Sequence, residues 1–433
     1  MSAPAADRRL AAISNHLTSP QLVVILPDGA NLTSVKSKRP GGQVTLLLLD
    51  ERPIAEFTVN DEKKLALDLS SVGTPFEGVT KHVPIYSLVT LQPPSNSSSP
   101  AQISLADLWA AAYGLFTLYH EQEYIPTSIS AFENAQEVAE YLSATGLARP
   151  YPSKILGKSP YSPHNVDEVY YLNHTAFWQG AGTTGYHHRH WLPNVRPIFP
   201  TVPAFTRKDN VVAKHPLRPS KPLQGEILYR RWCSQVGQML ELVHFDLEGA
   251  TDALYDYQNT DGVSRHLAAF HKWHNDARVN KAWQEQGTLE THRKYIESMY
   301  ADPHAIPCMY SWDGELFGYI EINYTKEDHV ATYMPADQAA GEWDRGIHIL
   351  VGEDKFLGGG RSKIWIRSLV HYLFLNDPRT FRVLGEPDGG NPNVLRVADV
   401  GGFYRPTLFD FPYKRSILVF QNREKFFRMT ELR

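Results

Sequence analysis

The sequence predicts a mixed α/β fold in two domains, and three observations predict it. Apolar residues switch repeatedly between the alternation that marks strands and the three-to-four spacing that marks helices. The 433 residues exceed what one core accommodates, since single cores stop growing near roughly 250–300 residues. A Pro-rich, basic stretch at 205–224 separates two halves of similar size.

The elements follow in order. Residues 1–20 form an N-terminal extension. In the first domain, 21–204, Leu22 to Pro27, Val44 to Leu49 and Ala55 to Val59 read as strands. Ser104 to Tyr119 reads as a helix. Ser104 is placed to cap it, and Leu105, Leu108, Ala112, Leu115 and Leu118 keep helical spacing. Nothing in this half looks catalytic. The stretch at 205–224, with Pro216, Pro219 and Pro222 among Lys214, Arg218 and Lys221, reads as an extended linker or surface strap.

The second domain, 225–433, is patterned more sharply. Met239 to Phe245 is a strand; Arg265 to Asn275 and Leu289 to Met299 are helices. Ile306 to Trp312 and Leu316 to Tyr324 make a hairpin through Asp313-Gly314, a strong turn dipeptide. Gly346 to Val351 is a strand, Ser362 to Leu375 a helix, Val383 to Glu386 a strand. Pro392 to Val400 is a short helix and Ser416 to Phe420 a closing strand.

Composition narrows the function. Apolar residues are 42% and charged residues 21% of the chain, which are globular values. The net charge of −4, with both signs mixed, argues against bulk nucleic-acid binding. Two cysteines, Cys233 and Cys308, make no disulfide framework, and the longest apolar run, Val44 to Leu49, is too short to span a bilayer. A soluble, intracellular protein is expected. Arg9-Leu10, five residues, then His16-Leu17 resembles the type 2 peroxisomal import signal, with Leu10, Ile13 and Leu17 on one helical face. An ordinary amphipathic helix is the other reading of that segment.

The most informative segment is Ile347 to Lys363, IHILVGEDKFLGGGRSK. A strand ends, a loop follows with Lys355 and three glycines, and a helix begins. Gly358 and Gly360 let backbone N–H groups turn toward a ligand, and the helix N-terminus adds partial positive charge. Together they suit a pyrophosphate cradle, with Arg361 and Lys363 nearby, while a flexible Gly-rich connector is the other reading and, on these residues alone, the favoured one. The strand Ile347 to Val351 leads directly into this loop.

This strand, basic loop and helix resemble the acyl-CoA loop of the GNAT (Gcn5-related N-acetyltransferase) superfamily. Phe270 to Asp276, Val279-Asn280, Trp283, Gly287, Asp344 to His348, Tyr372 to Phe374, Asp377 to Thr380, Glu386-Pro387-Asp388 with Asn391, and Gly402-Phe403 resemble its siderophore-acyltransferase branch. That branch includes fungal hydroxyornithine transacylases and the aerobactin and mycobactin lysine acyltransferases. The resemblance covers about 238 to 425. It implies a GNAT fold for the second domain, an acyl-CoA co-substrate, no metal, and an acceptor such as N5-hydroxy-L-ornithine. The first domain is expected to be a diverged α/β companion of similar architecture that covers the site or builds a homodimer.

The resemblance also implies roles. His348 is the general base, suited by titration near neutral pH, against an equal alternative on position alone of a packed histidine hydrogen-bonded in the sheet. Asp388 orients His348 or binds the substrate nitrogen, against an alternative role in a turn or cap. Leu350, Val351, Gly352, Lys355, Gly358, Gly360, Arg361 and Asn391 bind the donor. His271, Trp273, Asn275, Trp283 and Lys326 face the acceptor, with core packing as the other reading of the tryptophans. The tyrosine that many family members carry before Gly-Phe is missing, since Arg396 to Phe403 contains none. The acid for the thiolate is therefore unassigned between water and Tyr404.

Three rival functions remain. One is acetylation of another small amine or of hydroxylysine. Another is a metallohydrolase on His187, His188 and His190, although His188 and His190 share a strand face without a clear third ligand. The last is an inactive scaffold.

Overall fold

The computed structural model describes residues 20–66, 84–95, 101–150 and 169–432, apart from 197, 199, 209 and 259–261. The import-like signal at Arg9 to Leu17 lies outside the described residues. The chain divides into two compact units after His190. The Pro-rich stretch thus belongs to the second unit. It folds as a hairpin of β9 (Pro203–Lys208) and β10 (Val211–Pro216) rather than running as a linker. The hairpin is pinned by chemistry the composition did not reveal. His215 and Arg218 both bond the buried Glu327, Arg218 through Nε at 3.1 Å and His215 through Nδ1 at 2.9 Å.

The second unit is an eight-stranded sheet in the order β11-β12-β13-β14-β15-β16-β18-β17. Its strands are β11 (Ile227–Cys233), β12 (Gln238–His244), β13 (Ala305–Trp312), β14 (Glu315–Tyr324), β15 (Arg345–Val351), β16 (Arg382–Gly385), β17 (Tyr404–Asp410) and β18 (Arg415–Asn422). All neighbours are antiparallel except β15 and β16. Asp313 and Gly314 turn β13 into β14 with φ of 49° and 81°. Both central residues therefore sit in the left-handed region that a tight hairpin demands. Cys233 and Cys308 are buried free thiols.

Three helices fill the space between β12 and β13, with N-caps written in the sequence. Ser264 caps α4 (Arg265–His274), Asp276 caps α5 (Ala277–Trp283) and Thr288 caps α6 (Leu289–Ala301). Their apolar faces bury Leu267, Phe270, Trp273 and Ile296 against Phe245, Met309, Tyr319 and Leu350 of the sheet. On the opposite side of the split between β15 and β16 run α7 (Arg361–Asn376) and α8 (Pro392–Val400), before the closing α9 (Arg423–Met429).

The first unit carries a sheet in the order β1-β2-β3-β4-β5-β6-β8-β7. Its strands are β1 (Gln21–Ile25), β2 (Asn31–Arg39), β3 (Gly42–Leu49), β4 (Arg52–Ala66), β5 (Ile85–Gln92), β6 (Tyr124–Ser128), β7 (Ala148–Pro150) and β8 (Val169–Asn173). Strand for strand this is the order of the second unit, and again only the fifth and sixth strands are parallel. The helices α1 (Leu105–Leu118), α2 (Ala135–Ala144) and α3 (His174–Trp178) follow β5, β6 and β8. What differs is the link from β2 to β3. Here it is a turn at Pro40-Gly41, where the second unit inserts α4 to α6.

Candidate active site

The parallel strands β15 and β16 pair only at Arg345–Val383 and Gly346–Leu384. Beyond Gly346 they part, while β15 stays paired to β14 as far as Val351. The head of that ladder is fixed by Gly352 N donating to Phe317 O at 2.8 Å. Alternation then turns the Ile349 and Val351 amides to the opposite edge, the one β16 has left. A carbonyl lying in the split therefore meets fixed backbone donors, the arrangement that stabilises an oxyanion.

His348 sits on this stretch between two carboxylates. Its Nδ1 lies 2.9 Å from Glu321 Oε2 and its Nε2 lies 2.7 Å from Glu386 Oε1. Glu321 is its cross-strand partner on β14, and Glu386 follows the end of β16. The Tyr295 and Tyr319 hydroxyls both donate to Glu321 Oε1, at 2.5 and 3.1 Å, which leaves Oε2 to the histidine. Burial alone would push the imidazole pKa down. The Glu386 charge and the hydrogen bonds to both carboxylates overcome it and raise His348 well above 6.5. Burial likewise pushes Glu386 and Glu321 up, but the imidazolium holds both below 4.5, helped at Glu321 by the two phenols.

Next to this triad is the loop between β15 and α7. Gly358, Gly359 and Gly360 hold φ of 76°, 58° and 77°, three successive left-handed residues. A Cβ at Gly358 or Gly360 would meet nothing within 4 Å, so backbone conformation rather than crowding selects glycine. The N-cap of α7 is Gly360, which makes no side-chain cap, and the Arg361 and Lys363 amides close the turn onto Gly358 O and Gly360 O at 3.1 and 3.2 Å. Arg361 is anchored, its Nη2 bonding Gln238 at 2.7 Å, and Lys355 pairs with Glu315. The residues fit a phosphorylated co-substrate. Arg278 on α5 clamps the loop from the other side, donating to Val351 O and Gly352 O at 2.9 Å each.

Several expected contacts turn out differently. Asp388 does not serve as the partner of His348. It is exposed, and its Oδ1 accepts from Gly390 N at 2.7 Å, a turn role, while Glu386 takes the ring nitrogen. Asn391 caps α8 by accepting from Asn393 and Val394. Leu350 is a core residue, so its contribution to the donor site is restricted to backbone. Trp273 is 1% exposed and lies so close to Gly352 that a Cβ there would stand 2.1 Å from its ring, while its Nε1 bonds Glu353. His271 bonds His292, and Asn275 exchanges hydrogen bonds with Gly287 in both directions, bracing the segment after α5. Trp283 packs on His274 and Tyr319. Lys326 lies 3.9 Å from Glu342. These side chains hold the helical layer in place. His187 stacks on Trp109 and its Nδ1 accepts from Arg189 N. Among the described residues, the group spaced to hold a metal is His215, His304 and Glu327 rather than His187, His188 and His190.

Sequence reasoning missed Glu321, Tyr295 and Arg278 as site residues. A signal for Glu321 was present. A glutamate in the middle of an otherwise apolar strand, Leu316 to Tyr324, is costly to bury without a partner.

Residues 262–411 match the family model described as acetyltransferase (GNAT) domain. The chain is 33% identical to acyltransferase ato1 of Omphalotus olearius over 95% of this chain and 96% of that protein. It is 34% identical to hydroxyornithine transacylase SID3 of Ajellomyces capsulatus, covering 79% and 76% of the two chains. It is also 34% identical to the N(5)-hydroxyornithine:cis-anhydromevalonyl coenzyme A-N(5)-transacylase SIDF of Beauveria bassiana, covering 77% and 75%.

Proposed function

The chain belongs to the GNAT acyltransferase family that includes the fungal hydroxyornithine transacylases, and from that premise we propose that it moves the acyl group of an acyl-CoA onto the side-chain hydroxylamine nitrogen of N5-hydroxy-L-ornithine. The product is a hydroxamate, the iron-chelating unit of a siderophore. The donor is anhydromevalonyl-CoA or acetyl-CoA, and the name of the Beauveria relative supports the former.

The observation that carries the reading is the Glu321–His348–Glu386 triad standing at the sheet split beside the Gly-rich loop. The donor's pyrophosphate rests on Gly358 to Arg361, and its thioester carbonyl enters the split against the β15 amides. The hydroxylamine nitrogen attacks the carbonyl carbon and a C–N bond forms. Its proton ends on a carboxylate oxygen of Glu386 or Glu321, relayed by the imidazole that bridges them. The C–S bond then breaks, and the thiolate takes its proton from solvent. A hydroxylamine is largely uncharged near neutral pH, so the triad meets a competent nucleophile without first deprotonating an ammonium.

The test is direct. Purified protein is incubated with N5-hydroxy-L-ornithine and either donor, and thiol release and product mass are followed. Hydroxamate from one donor is expected and chooses between them. Acylation of hydroxylysine or a simple amine in place of hydroxyornithine would overturn the acceptor assignment. The import-like signal at Arg9 to Leu17 adds a proposed peroxisomal address. Fusing residues 1–20 to a fluorescent protein checks it, and a diffuse signal would remove it.

A further inference from the structure

The acceptor must be held by its other end if its hydroxylamine is to arrive at His348 and not elsewhere. Two residues along β14 from Glu321, on the same strand face, stands Asn323. It is 8% exposed, and its amide lies over Gly346, where a Cβ would stand 2.1 Å from Oδ1. Its Nδ2 donates to Asp328 Oδ2 at 3.0 Å, while its Oδ1 is buried without a hydrogen-bond partner among the described residues. A buried acceptor left without a donor is costly, so the site calls for one. Asp328 supplies the charge. Its Oδ1 is occupied by Val330 N and His329 Nδ1, at 2.9 and 3.0 Å, and its Oδ2 accepts from Asn323 Nδ2. The two neighbouring acceptors, Asn323 Oδ1 and Asp328 Oδ2, suit a group with several N–H donors and a positive charge. At the rim, Lys414 donates to Glu386 O at 3.0 Å and keeps a partly exposed ammonium.

We propose that Asn323, Asp328 and Lys414 form the recognition subsite for the backbone end of a zwitterionic amino acid. Asn323 and Asp328 take the α-ammonium, and Lys414 takes the α-carboxylate. The spacing fits. Residues i and i+2 of a strand stand roughly 6.6 Å apart. The four bonds from the side-chain nitrogen of ornithine to its α-carbon span about 5 Å. An acceptor whose nitrogen meets the Glu321 and His348 row thus brings its α-carbon to the Asn323 and Gly346 row. The subsite rests on the hydroxyornithine reading, and it goes further by stating which groups of the acceptor are read.

The experiment measures kcat/KM for three acceptors with one donor. These are N5-hydroxy-L-ornithine, 5-(hydroxyamino)pentanoate, which lacks the amino group, and the carboxamide of hydroxyornithine. Asp328→Asn keeps an oxygen for the Val330 amide. It is expected to reduce the preference for hydroxyornithine over the pentanoate by at least about tenfold. Lys414→Met, beside an exposed hairpin turn, is expected to erode the preference over the carboxamide alone. Melting curves confirm that both variants fold. Retention of both preferences within about twofold overturns the subsite while leaving the hydroxyornithine reading standing. A wild-type protein that makes no hydroxamate from hydroxyornithine overturns both.

Discussion

At the residue scale, the chemistry turns on which carboxylate serves His348. The sequence motif Glu386-Pro387-Asp388 offers two, and the structure gives Nε2 to Glu386 while Asp388 closes a turn. Glu386→Gln removes the charge that raises the imidazole and is expected to lower kcat by about 10²–10⁴. Asp388→Asn is expected to cost less. Steady-state kinetics on the pair decides it, and a larger loss at Asp388 would return the orienting role to that residue. Stability should follow pH in a defined way. His348 is raised above 6.5, so its contribution is full below pH 6.5 and lost as pH climbs through its folded value. Glu321 and Glu386 are held below 4.5, so theirs is full above pH 4.5 and lost as pH falls through their folded values. The triad therefore stabilises fully between about pH 4.5 and 6.5. Melting temperatures of wild type and Glu386→Gln should converge outside that window, most visibly on the acid side.

At the element scale, the donor loop is a strand end, three left-handed glycines and an uncapped helix, held by α4 and α5. Gly359→Val places a β-branched residue at φ of 58°. It is expected to cost about 1–2 kcal/mol and to raise KM for the donor far more than for the acceptor. Gly352→Ala drives a methyl group into the Trp273 ring. Its expected cost is about 1–3 kcal/mol by overpacking, read as a lower melting temperature. Arg278→Met frees the Val351 and Gly352 carbonyls. Titration calorimetry should show weaker binding of CoA to that variant, and an unchanged affinity would remove Arg278 from the donor site.

At the scale of the whole molecule, the two units repeat one strand topology, and the repeat reaches the site. In the second unit His348 lies two residues past the last parallel pair and faces Glu321. In the first unit Gln92 lies two residues past the last parallel pair and faces Glu56. Gln92 Nε2 donates to Glu56 at 2.6 Å, and Arg39 and Ser95 take the same carboxylate oxygen. An amide cannot relay a proton between two carboxylates as an imidazole does, and an arginine already neutralises the glutamate. The residues between β5 and α1 also contain no glycine. One acyl-CoA per chain is therefore expected by calorimetry, and a stoichiometry of two would overturn this view of the first unit.

Most elements of the second unit were legible because helical spacing, the Asp313-Gly314 turn and the Gly-rich strand-to-helix loop are local signals, whereas β11, α5, β17 and α9 went unread. In the first unit β2 and β5 went unread, since Asn31 to Arg39 is too polar and Ile85 to Gln92 too uneven to declare a strand before a sheet surrounds it. The Pro-rich stretch was misread because its partner, Glu327, lies more than a hundred residues away. By itself the sequence determined the family and the mixed α/β class, and it marked the strand, Gly-rich loop and helix that follow one another at 345–376, all properties of short runs of chain. Only the tertiary structure decided what His348 touches. The Glu321 bond is set by strand register, the Glu386 bond by where β15 and β16 part, and Trp273 became a support for Gly352 instead of an acceptor contact. Register and strand divergence are fixed by packing across the whole sheet, and no local pattern of residues carries them.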